Sequence, residues 1–277
     1  MTHAETTTTI RPPAVAGQFY TATPQALRTE VESYLQRGTK STAQTLLAMV
    51  PHAGYMYSGK VAGKTIGSAN LPDTIYLLGP NHTGRGAAVS VWNAGGWETP
   101  LGTVQIDTAA RDNLLAIDTF FEADTFAHLK EHSLEVLLPF IQVANPNAKI
   151  VPIAVATSNQ ETLAFIGAVL ADALKKNPNS GIVVSSDMSH YISANRAKEL
   201  DSLALTMVET VDPQGLLTTV MRNNISMCGV LPMVIGLIAS EALGATKAHI
   251  TEYATSGDVT GDTSQVVGYA GAIIDKP

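Results

Sequence analysis

Apolar residues in this chain fall into short unbroken runs separated by longer stretches where they recur at helical spacing. Leu46-Leu47-Ala48-Met49-Val50, Ile75-Tyr76-Leu77-Leu78 and Ile182-Val183-Val184 are of strand length and apolar at successive positions, as in strands buried on both faces. Strands are also expected over Lys149–Ala154, His249–Ala254 and Val266–Ile274. Pro24–Gln36 sets Leu27, Val31 and Leu35 on one face and predicts an amphipathic surface helix. Ser58–Ala69, rich in Gly, Ala and Ser, predicts a helix packed tightly on the sheet. Further helices are expected over Gln160–Lys176, Ala194–Thr210 and Gly229–Ala242, the last apolar almost all round and hence buried. Ser133–Val143 reads as a helix interrupted near Pro139, and Gly86–Val104 as antiparallel excursions, so a mixed sheet is expected in an α/β fold.

Composition narrows this little but excludes much. The chain has 277 residues, 45% of them hydrophobic, enough to bury a sizeable core. It reads as a loose tail over residues 1–10 followed by one domain over 11–277. Seventeen basic against 24 acidic residues give a net charge of −7, with no basic run to track a phosphate backbone, so nucleic acid is not an expected partner. The first residues have neither the basic nor the apolar region of a signal peptide. Val230–Ala239, the longest apolar stretch, contains Pro232 and falls far short of the roughly 20 residues that span a bilayer. A cytoplasmic protein with no membrane association is expected. The single cysteine, Cys228, excludes an internal disulfide and suits a reducing compartment.

Candidate chemistry gathers where strands end. His52 in Pro51-His52-Ala53-Gly54-Tyr55, His82 in Gly79-Pro80-Asn81-His82-Thr83 and His190 in Ser185-Ser186-Asp187-Met188-Ser189-His190 each follow an apolar run, at the carboxyl ends where open α/β sheets bind ligands. Converging imidazoles suit a divalent transition metal, although a strand-end histidine can equally be a hydrogen-bonded structural residue. Asp187 precedes His190 by three residues, so in a helical turn both would face one way, for metal or acid/base duty, or Asp187 would cap a helix. Cys228 lies just ahead of a helix whose N-terminus would favour a thiolate ligand, or is a small buried hydrophobe. His132, in Glu131-His132-Ser133-Leu134-Glu135, lines a pocket or sits in a first helical turn whose dipole favours the two glutamates. Tyr55 and Tyr57 could present hydroxyls to a substrate or pack over their loop. Thr255–Asp262 could cover the pocket or simply join two strands. Neither a dinucleotide-binding Gly-rich motif nor a Walker motif follows any strand.

The ordered motifs Arg11-Pro12-Pro13-Ala14-Val15-Ala16-Gly17-Gln18-Phe19-Tyr20, Pro51–Tyr55, Leu78–His82, Glu131–Glu135, Ser185–His190 and Cys228-Gly229 make the chain resemble the MEMO-like proteins, the mediator of cell motility family, in its prokaryotic branch. The resemblance implies a three-layer α/β/α sandwich with a central mixed sheet, similar to the class III extradiol dioxygenases, which open catechol rings with Fe(II) and O2. It implies that His52 and His82 are metal ligands, that Cys228 takes the third metal position, that His190 is the acid/base histidine and that His132 lines the same pocket; in an enzyme so built, Asp187 or His132 would orient the catalytic His190. A thiolate in place of a carboxylate turns the site towards softer metals, so Cu or Zn competes with Fe(II) and ring opening does not follow from the fold. Prokaryotic relatives also suggest a functional link to AMMECR-like and radical SAM proteins. Two classes of function result: a metal-dependent redox or oxygen-related enzyme acting on a small molecule, or a non-catalytic module that holds a metal or a peptide in the same pocket.

Overall fold

The computed structural model describes residues 9–117 and 120–277; most of the expected tail, residues 1–8, lies outside it. Helix α1 (Pro24–Leu35) leads to strand β1 (Thr45–Val50), helix α2 (Tyr55–Ser68) and strand β2 (Thr74–Pro80). Three short strands follow, β3 (Val89–Val91), β4 (Trp97–Thr99) and β5 (Gly102–Ile106), then α3 (Thr108–Leu115) and β6 (Glu122–Ala123). A 3-10 turn over Glu135–Leu137 runs into α4 (Leu138–Ala144), β7 (Lys149–Val155), α5 (Gln160–Lys176), β8 (Ser180–Ser185) and β9 (His190–Ile192). The chain closes with α6 (Ala194–Glu209), α7 (Pro213–Asn223), α8 (Val230–Ala242), β10 (His249–Thr255), α9 (Gly257–Thr260) and β11 (Val266–Asp275).

The main sheet runs in the order β10-β11-β1-β8-β2-β7-β3-β6. Its centre, β1-β8-β2-β7, is parallel, while β11 joins β1 and β3 joins β7 antiparallel, so the sheet is mixed. Alternate residues of the buried strands enter two separate cores. Ala48, Val50, Ile75, Leu77 and Val183 pack with α1, α2 and α4. Leu47, Met49, Tyr76, Leu78, Ile182 and Val184 pack with α5, α6, α7 and α8. Helices thus cover both faces, and the molecule is a three-layer α/β/α sandwich. Among the described residues no helix is long and apolar enough to cross a membrane.

Local chemistry explains four of the helix starts. Side chains of Asp107, Asn159, Ser193 and Asp212 accept from the backbone N–H of Ala110, Thr162, Arg196 and Gly215, filling the N-caps of α3, α5, α6 and α7. In α5, Glu161 in the first turn and Lys175 and Lys176 in the last complement the helix dipole. Two expectations are corrected. Pro139 stands in the first turn of α4, where its missing N–H costs nothing, so it starts that helix rather than interrupting one. Asp187, Met188 and Ser189 form no helical turn: Met188 N–H donates to the Gly268 carbonyl, and the segment runs into β9.

Candidate metal centre

Strands β1, β8 and β2 are adjacent and parallel, so their carboxyl ends open on one crevice. His52 lies just beyond β1, His82 just beyond β2, and Asp187 just beyond β8. His132 arrives from the segment that precedes the Glu135–Leu137 turn. Ring centroids are 5.3 Å apart for His52 and His82, 5.4 Å for His52 and His132, and 4.9 Å for the stacked His82 and His132. One nitrogen from each of these three rings lies within 4.8 Å of the other two, a group able to hold a metal ion. Glycine permits the approach at two points. A Cβ at Gly79 would meet Leu134 Cδ2 at 2.6 Å and Ser133 Oγ at 3.0 Å, and one at Gly229 would run into the Ser185 carbonyl and Ser186.

The rings of His52 and His82 are held from behind. His52 Nδ1 lies 2.7 Å from Ser185 Oγ, and the His52 backbone N–H donates to Asp187 Oδ1 at 2.8 Å. His82 donates from Nδ1 to Glu131 Oε1 at 2.9 Å and from its backbone to Oε2 at 2.6 Å. Glu131 also accepts from the backbone N–H groups of His132 and Ser133, at 3.0 and 2.9 Å. Burial opposes ionisation of Glu131, yet these donors, His82 foremost, bring its carboxyl down to about 2. Burial likewise works against charge on His82, but the Glu131 carboxylate outweighs it and raises the imidazole above its ordinary value. Burial and the neighbouring rings hold His52 well below the usual range, and burial lowers His132. At rest, His52 and His132 are therefore neutral lone-pair donors.

Cys228 and Asp187 border His52. Cys228 Sγ is 3.5 Å from His52 Nε2 and accepts from the Asp187 backbone N–H at 3.2 Å; Asp187 Oδ2 lies 4.0 Å from Nε2. Burial, aided by the charge of Asp187, pushes the thiol well above its ordinary value, so burial outweighs the helix end that was expected to favour a thiolate. Burial also pushes Asp187 up to about 6. Rather than capping a helix, Asp187 braces the His52 backbone. His190 stands outside the three-ring group, its Nδ1 donating to the Ser226 carbonyl at 2.9 Å, and Tyr191 beside it is held at φ 59° with 73% of its surface exposed. Tyr55 is buried and donates to the Val136 carbonyl at 2.8 Å, which leaves its hydroxyl engaged in the fold.

Arg11 and Glu135, which the sequence offers only as members of motifs, position the His132 segment. Arg11, fully buried, donates to the carbonyls of His128 at 2.8 Å and Glu131 at 2.6 Å and pairs with Glu135 at 2.6 Å. Glu135 also accepts from Ala14 N–H, Val15 N–H and the Tyr20 hydroxyl at 2.7, 2.9 and 2.8 Å. The N-terminal motif Arg11–Tyr20 is thus a strap folded over the segment that bears Glu131 and His132.

Comparison with known proteins agrees with this architecture. A crystal structure of an uncharacterised Escherichia coli K12 protein, JW3007, superposes with a TM-score of 0.50 over 83% of this chain and 100% of that one at 13% identity, a likeness of fold. A "MEMO1 family protein" of Aquifex aeolicus is 42% identical, the match covering 95% of this chain and 98% of that protein. "MEMO1 family protein MTH_45" of Methanothermobacter thermautotrophicus is 40% identical over 94% of this chain and 99% of its own length. The model of the Memo-like protein family matches residues 11–273, a span running from the buried Arg11 into β11, and the chain belongs to that family.

Proposed function

We propose that this protein binds one transition-metal ion among His52, His82 and His132 and uses it in redox or oxygen-related chemistry on a small molecule. The convergence of two strand-end imidazoles, His52 after β1 and His82 after β2, with His132 from the segment before the Glu135–Leu137 turn carries the reading. Neutral imidazole nitrogens suit Fe(II), Cu and Zn, and Fe(II) is the ion taken first. Two nitrogens bound at ~2.0–2.1 Å stand at most ~4 Å apart, so a bound ion would draw the rings slightly inward. Such an ion supplies Lewis acidity and, if it is iron or copper, one-electron chemistry. His190 has Nδ1 engaged by Ser226 and Nε2 without a hydrogen bond among the described residues, so Nε2 is its acid or base, and Asp187 fixes the backbone of His52. His132 acts as a ligand in this arrangement instead of orienting His190. Cys228 adds a soft donor beside His52, and with one cysteine in the chain the cytoplasm is the compartment that suits it.

The thiol also favours a second reading. With Cys228 added to three imidazoles the coordination sphere would close, as in a module that holds a metal without turnover and docks a small molecule or peptide beside it. Anaerobic purification with metal analysis tests both. Replacing His52 and His82 together with alanine should abolish stoichiometric metal; full occupancy in that double variant would overturn the assignment. Cys228→Glu should move the preference from Cu(I) towards Fe(II) in a competition titration, because ligand softness selects the metal. Unchanged relative affinities would mean that the thiol does not coordinate.

A further inference from the structure

We propose that Ser185 is a positioning residue that fixes His52 as the tautomer protonated on Nδ1 and so keeps Nε2 free to bind. Ser185 ends β8, pairs with Val50 at the end of β1, and is fully buried. Its Oγ lies 2.6 Å from the Ser133 carbonyl oxygen and 2.7 Å from His52 Nδ1. A hydroxyl has one proton and a carbonyl can only accept. At 2.6 Å two oxygens without a proton between them would repel, so the Ser185 proton points at Ser133. The remaining lone pair of Oγ then faces His52 Nδ1, which must donate. Neutral imidazole carries a single N–H, so Nε2 is bare.

The alternative is within reach. Were the proton on Nε2, it would face Cys228 Sγ at 3.5 Å and Asp187 Oδ2 at 4.0 Å, and the ligand nitrogen would be spent on a hydrogen bond. Ser185 excludes that state. Because Ser133 follows His132 directly, the same hydroxyl also ties the orientation of one ring to the segment carrying another. Glu131 does the equivalent for His82, whose Nδ1 faces a carboxylate that can only accept.

The tautomer claim stands on these contacts alone; its consequence for affinity rests on the metal-binding reading. Metal-free protein labelled with 15N-histidine, studied by long-range 1H–15N correlation at neutral pH, should show His52 with a pyrrole-type Nδ1 and a pyridine-type Nε2. The reverse pattern in the wild-type protein overturns the proposal without recourse to a variant. Ser185→Ala should lose the Nδ1–H signature of His52 and leave that of His82 unchanged, whereas Ser185→Thr, which keeps the hydroxyl, should restore it. An unaltered His52 pattern in Ser185→Ala would also overturn the claim. With Zn(II) alone as the probe, Ser185→Ala should bind about 10- to 100-fold more weakly, the usual effect of losing the partner that orients a ligand. Failure of the wild-type protein to bind Zn(II) would count against the metal reading, and the spectra would still decide the role of Ser185.

Discussion

His128 and His132 lie four residues apart, yet one belongs to an aromatic cage and the other to a polar crevice. His128 is fully buried against Trp92 and Trp97, with ring centroids 5.9 and 5.6 Å away, and Arg11 sits 4.1 Å above the Trp97 ring. Its Nε2 donates to the Ser90 carbonyl at 3.2 Å, while Nδ1 has no hydrogen-bond partner among the described residues. Around His82 the pattern is inverted: Nδ1 is anchored by a carboxylate, and Nε2 is left towards neighbouring rings and solvent. A histidine here becomes a candidate ligand through an anchored inner nitrogen and an accessible outer one. Burial alone makes it a core residue.

The largest effect should come from the group that both regions share. Arg11→Ala leaves Glu135 buried without its cation and releases the carbonyls of His128 and Glu131, so unfolding free energy should drop by about 3–5 kcal/mol in denaturant titration. Metal capacity should fall with it, and unchanged stability would refute the idea that one arginine holds cage and crevice together.

Acid should separate the two regions next. Burial lowers His128 to about 4 from an ordinary value near 6.5, so the native state resists a proton that the unfolded chain accepts. The stabilisation is complete above pH 6.5 and is lost as pH falls towards 4, in total about 3 kcal/mol. His128→Phe, which cannot titrate, should show a correspondingly flatter stability profile between those limits. Parallel profiles for the two proteins would mean that the cage admits the charged ring.

The smallest effect is expected at His190. His190→Gln should change metal affinity by less than about twofold, since Ser226 anchors this ring outside the three-imidazole group, yet reduce any turnover by about 10²- to 10⁴-fold through loss of proton transfer. Metal loss in that variant would move His190 into the ligand set.

Much of this arrangement is legible in the chain, because short β-branched or aliphatic runs bounded by turn signals suit strands covered on both faces, and such strands expose chemistry at their ends. His52 and His82 follow from that rule alone. The burial of Arg11, Glu131 and Glu135 does not: charged residues usually face solvent, and their partners here lie up to 124 positions away. Ser185 reads as one more small residue closing a strand until Ser133 is seen above it. Helix α7, absent from the elements expected above, carries its own signals, Asp212 ahead of Pro213 and Asn224 in a left-handed C-cap at φ 52°.

The strap has a consequence for biosynthesis. Glu135, the carboxylate partner of Arg11, is made 124 residues after it. At ~5–20 residues per second, the guanidinium waits for several seconds or more in solvent. The guanidinium therefore cannot take its native place until the segment around Glu135 has been made. Contacts of such long sequence separation slow folding, and the Arg11–Tyr20 strap should remain open to proteases until the segment around Glu135 emerges to dock it.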